Sequence, residues 1–69
     1  MRPSYAVLEA VDAYRLALVA ARRAFRAYSD AVMGTDTELA RALGEQRTTA
    51  QREADAAGEK LRTLLEADA

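Results

Sequence analysis

From Ser4 to Met33 the chain runs without glycine or proline, and its apolar residues hold a heptad phase throughout. Ala6, Ala10, Ala13, Ala17, Ala20, Ala24, Ala27 and Ala31 succeed one another at intervals of four and three. One residue further on, Val7, Val11, Tyr14, Leu18, Ala21, Phe25, Tyr28 and Val32 repeat the same rhythm. This spacing is that of helices that pack along a continuous seam. Each residue turns a helix by about 100°. A helix over residues 4–33 therefore carries two adjoining stripes, one built of methyl groups and one of larger side chains.

Pro3 stands just ahead of this helix, where a missing N–H costs nothing. Gly34 stands where a helix ends in a left-handed residue. The next residues, Thr35 to Glu38, fit a capping box, in which the threonine hydroxyl and the glutamate each satisfy a free backbone N–H. Stop and start signals are thus adjacent, and a connection this short makes two helices antiparallel neighbours. The second helix is expected over residues 36–65, with one seam: Ala40, Leu43, Arg47, Ala50, Ala54, Ala57, Leu61 and Leu64, widened at its ends by Leu39 and Leu65. Its weakly apolar stretch Thr48–Lys60 is expected to be the most readily unfolded part.

Folding the chain at Gly34–Thr35 pairs large residues with small ones. Phe25 is expected opposite Gly44, Val11 opposite Gly58, Leu18 near Ala50 and Tyr14 near Ala54. Such complementarity gives a role to two glycines that each cost a helix about 1 kcal/mol relative to alanine. In that arrangement the large stripe faces the second helix and the alanine stripe is left over; the reverse assignment satisfies the pattern equally.

Composition sharpens the picture. The chain has 69 residues, no cysteine and no histidine. That removes disulfides, thiol nucleophiles, imidazole bases and the usual zinc ligands. Domains this small are marginal alone, and of the usual staples oligomerisation is the one left. The fold expected is all-α: one helical-hairpin domain over residues 1–69 that dimerises into a four-helix bundle, with Ala10, Ala13, Ala17, Ala20 and Ala24 at the oligomer interface. No cofactor, metal or catalytic residue is expected. The N-terminal region, interrupted by Glu9, Asp12 and Arg15, lacks the apolar core of a signal peptide, and no run is long enough to span a bilayer. A cytoplasmic location without membrane contact is expected.

Formal net charge is −1, which offers no general attraction to nucleic acid. Off the stripes, Arg15, Arg22, Arg23 and Arg26 cluster on the first helix. Ordinary ion pairs, Arg26 with Asp30 and Arg15 with Glu53 or Asp55, are expected to neutralise them. Leu8, Leu16 and Val19, together with Arg22, Arg23 and Arg26, form the expected surface for an unidentified protein partner. Tyr14 and Tyr28 are expected to pack in the core with their hydroxyls at the rim. Arg47 interrupts the second seam, either reaching solvent or pairing with a carboxylate to fix register.

The functional reading from sequence is a non-catalytic protein–protein interaction module, a homo-oligomeric hairpin acting as adaptor or regulator. Two others stand beside it. One is a nucleic-acid-associated regulator using Arg15, Arg22, Arg23 and Arg26, although no recognition motif or interleaved aromatic supports it. The other is a small-ligand enzyme whose bundle interior is lined by arginines such as Arg15 and Arg47. In outline the chain is similar to the secreted WXG-type helical hairpins, but its turn, Val32-Met33-Gly34-Thr35, carries no tryptophan, and the chain is not assigned to that family.

Overall fold

The computed structural model describes residues 5–68, and side-chain burial up to residue 67. The helix start expected at Pro3 and Ser4 lies outside the described residues. Two helices account for the fold: α1, Tyr5–Val32, and α2, Thr37–Asp68. They lie side by side as an antiparallel hairpin measuring 54 × 14 × 12 Å. Among the described residues no helix is long and apolar enough to cross a membrane.

The turn differs in detail from the sequence expectation. No glycine among the described residues has a positive φ, so Gly34 is not a left-handed cap. Instead α1 tightens as it ends: the Gly34 N–H donates to the Ala31 carbonyl at 3.0 Å, an i to i−3 bond that satisfies one terminal acceptor. The cap of α2 is Asp36 rather than Thr35. Its Oδ1 accepts from the Leu39 N–H at 3.0 Å, and its carbonyl accepts from the Ala40 N–H at 3.1 Å. With Leu39 at the third helical position there is no capping box. α2 also continues three residues beyond the expected end at residue 65.

The face that α1 turns to α2 is neither of its two stripes. The line of contact runs Val7, Ala10, Tyr14, Ala17, Ala21, Ala24, Tyr28 and Ala31, all buried or half-buried, with Leu18, Ala27 and Ser29 half-buried beside it. This line takes every second member of the large stripe and every second member of the alanine stripe. The helix is rolled so that the contact falls between them. What remains of the large stripe, Val11, Leu18, Phe25 and Val32, lies along one flank of the hairpin; what remains of the alanine stripe, Ala6, Ala13, Ala20 and Ala27, lies along the other. On α2 the expected seam is the observed one, since every member from Ala40 to Leu64 is buried or half-buried.

Register is set by the tyrosines. A Cβ on Gly58 would sit 3.0 Å from Tyr14 Cε1, and a Cβ on Gly44 would sit 3.1 Å from Tyr28 Cε2. Each ring therefore fills a notch that exists because the facing residue has no side chain. The expected partners, Val11 for Gly58 and Phe25 for Gly44, are displaced by three residues, and Phe25 is 56 % exposed. Helical side chains lean toward their own N-terminus, by about one residue position, which on α1 carries the rings away from the hairpin bend and accounts for part of the displacement; the axial register of the two helices accounts for the rest.

The resulting core is thin. Among the described residues only Val7, Ala10, Ala21 and Ala54 are buried, and no large side chain is fully buried. Ala54 is the most enclosed, 1 % exposed, at the centre of the stretch expected to be weakest.

Candidate functional site

Because α1 is rolled between its stripes, the hairpin presents two long grooves, one on each flank. They differ in chemistry.

The first groove, on the large flank, encloses about 580 Å³ and is floored by Leu18, Ala21 and Phe25. Arg22, Arg26 and Arg47 rim it. Arg47 neither pairs with a carboxylate nor reaches freely into solvent. Its guanidinium carbon lies 5.2 Å from the Tyr28 ring centroid and 5.9 Å from that of Phe25, close enough for attraction to both ring faces. Its Nε is buried without a hydrogen-bond partner. Further from the bend the same flank turns acidic, with Asp55 and Glu59 beside Tyr14 and Leu18. The Asp55 Oδ1 accepts from Gln51 Nε2 at 3.1 Å.

The second groove, on the alanine flank, is lined on α1 by Ala6, Ala10 and Ala13, with Leu16, Glu9 and Asp12 at its edge, and on α2 by Ala57, Leu64 and Lys60. Here both helices contribute apolar side chains. On the first flank α2 contributes mainly glycine, glutamine and acidic residues.

The sequence-derived site residues fall as follows. Ala10 is buried, and Ala17 and Ala24 are half-buried, against α2, while Ala13 and Ala20 remain exposed on the alanine flank. Leu8, Leu16, Val19, Arg22, Arg23 and Arg26 are all exposed, but they do not form one surface. Counted along the heptad, Leu8 and Arg22 share the large flank, Leu16 leans to the alanine flank with Arg23, and Val19 lies on the back of α1, as does the Cα of Arg26, whose long side chain reaches the rim of the first groove. The expected neutralising pairs do not form. Among the described residues the ion pairs are those of Arg62 with Glu59 and with Glu66, so Arg15, Arg22, Arg23 and Arg26 have no carboxylate partner within the hairpin. Arg15 lines a shallow groove with Leu8, Val11 and Asp12 of its own helix.

The groove around Arg47 was not singled out from sequence. Its signal was present: an arginine at a seam position, where a charge is costly to bury, with phenylalanine and tyrosine on the facing helix. No group of His, Cys, Asp and Glu among the described residues is arranged to hold a metal ion. Comparison of the chain with protein-family models, with curated proteins and with solved structures gives no match.

Proposed function

We propose that this protein is a non-catalytic protein–protein interaction module: a helical hairpin that dimerises into a four-helix bundle and serves as adaptor or regulator. The observation that carries this reading is the mismatch between core and surface. Among the described residues four small or medium side chains are buried, while Leu8, Leu16, Phe25, Val32, Met33 and further apolar residues are more than a third exposed. A chain of this size draws only a few kcal/mol from a single core, and one thin layer between two helices is less than that. A second hairpin laid on a flank would add the missing layer. A flank left uncovered by the dimer, with its phenylalanine and unpaired arginines, suits a further protein partner.

Sedimentation over a concentration series tests the reading. The expected result is a reversible dimer whose melting temperature rises with protein concentration, as mass action requires when folding and association are linked. Ala20→Leu, an exposed position on the alanine flank, is expected to lower the association constant without lowering the helix content of the monomer. A chain that sediments as a monomer at every concentration, with a concentration-independent melting temperature, overturns the proposal.

A second reading has one observation in its favour, the three guanidinium groups of Arg22, Arg26 and Arg47 around an apolar floor. In it the groove holds an anion, a small carboxylate or a nucleic-acid phosphate. A stoichiometric melting shift with a small aromatic carboxylate supports the first form, and salt-dependent retention on nucleic acid supports the second.

A further inference from the structure

The alanine flank carries a charge pattern that is complementary to itself. Glu9, Leu16 and Arg23 follow at seven-residue intervals on α1, so they share one side of the helix with Leu16 at the middle. Glu53 and Lys60 stand seven apart on α2, with their midpoint between Ala56 and Ala57. All four charged residues are exposed, and none is in an ion pair among the described residues. The groove on this flank brings Glu9 and Leu16 to the same side as Ala57 and Lys60. The Tyr14–Gly58 contact then sets the two midpoints within one helical turn of each other along the hairpin. Acid and base thus stand on either side of midpoints that lie within one turn of each other on the two helices.

A second copy of this chain, turned end for end, matches such a pattern on both helices at once. We infer that the alanine flank docks a second copy of this chain, antiparallel, with the two-fold axis crossing at Leu16. Glu9 then meets the partner's Arg23, Glu53 meets the partner's Lys60, and the two Leu16 side chains meet each other. The exposed alanines Ala13 and Ala20 face their counterparts, where their small size lets the helices approach closely. Each neighbouring pair of helices in the bundle runs antiparallel. A long face of a body 54 × 14 × 12 Å covers on the order of 700 Å², close to the roughly 800 Å² per partner of a standard stable interface. The large flank is the weaker candidate for this contact, because its α2 half presents Gln51, Asp55 and Glu59. This inference rests on the self-association proposed above and specifies its face and direction.

The chain contains no cysteine, so single-cysteine variants report proximity without background. Leu16→Cys is expected to give covalent dimer with a short bismaleimide; Leu8→Cys, on the opposite flank, is expected to give little. In sedimentation, Arg23→Glu is expected to raise the dimer dissociation constant about tenfold by turning two attractive contacts into repulsive ones. Adding Glu9→Arg in the same chain is expected to restore it, because each swapped residue then meets its swapped partner. Both positions are exposed, and circular dichroism checks that helix content is unchanged. A dimer that cross-links through Leu8→Cys but not Leu16→Cys, or in which the double swap does not recover affinity, overturns the inference and leaves self-association standing. A monomer throughout removes both.

Discussion

The two helix-interior glycines offer the sharpest test of how the hairpin is packed. In an open helix, Gly58→Ala gains about 1 kcal/mol from propensity alone. Here the new methyl would lie 3.0 Å from Tyr14 Cε1 and 3.4 Å from its Cζ. Ordinary carbon contacts lie near 3.5–4.0 Å, so the ring must withdraw by about half an ångström. A gap of that size forfeits a quarter or more of each dispersion contact the ring makes. The ring is only half-buried and can move, so the substitution is tolerated, but its propensity gain is expected to fall to roughly zero. In a Tyr14→Leu background the far end of the ring is absent, and the full gain of about 1 kcal/mol returns, worth about 4–8 °C in melting temperature for a domain of this size. The assay is urea unfolding of wild type, both single variants and the double variant at one fixed protein concentration, since association contributes to apparent stability. The expected coupling energy is about 0.5–1 kcal/mol. If Gly58→Ala stabilises by the full amount in both backgrounds, the ring does not fill the notch and the register described above is wrong.

Three further outcomes follow from the same packing. Asp36→Ala is expected to cost about 1 kcal/mol in chemical denaturation by removing the cap of α2, whereas Thr35→Ala is expected to change stability by less than about 0.5 kcal/mol. Ala54→Leu, at a site 1 % exposed, is expected to destabilise by about 1–3 kcal/mol through overpacking. Arg47→Met keeps most of the side-chain volume over Phe25 and Tyr28 and removes the unpaired buried Nε, so stability is expected to hold or rise; Arg47→Ala loses both stem packing and ring contact and is expected to cost about 1 kcal/mol.

The opposite flanks also differ in what salt will do. The contacts inferred on the alanine flank are surface ion pairs, weak singly and screened over about 8 Å at physiological ionic strength. Their part is to fix direction and register rather than to supply affinity, which comes from the apolar groove between them. The acidic and basic groups of Arg62, Glu59 and Glu66 are paired within α2 and stay exposed, so they leave the alanine flank free of competing partners.

Much of this architecture was legible in the residues. Two helices, their antiparallel pairing, the seam of α2 and the smallness of the core follow from heptad phase, from the absence of breakers between Ser4 and Met33, and from a turn at Gly34; these are local properties, set by backbone sterics and side-chain spacing. The groove at Arg47 could be suspected but not placed, since its two rings come from the facing helix. Three things were decided only by the packed chain. Thr35 offers a capping box with Glu38 and Asp36 the stronger single cap; in the folded chain Asp36 takes the role, its Oδ1 accepting from the Leu39 N–H. The pairing of Tyr14 with Gly58 and Tyr28 with Gly44 depended on the axial register and side-chain direction of two packed helices, which sequence spacing does not carry. The roll of α1 was open for a geometric reason: two apolar stripes one residue apart allow a contact line on either or between them, and only the notched, small-residue surface of α2 selects the line that seats both tyrosines. That roll is what leaves one flank of bulky residues and one of methyl groups, and so gives the hairpin two different surfaces to offer.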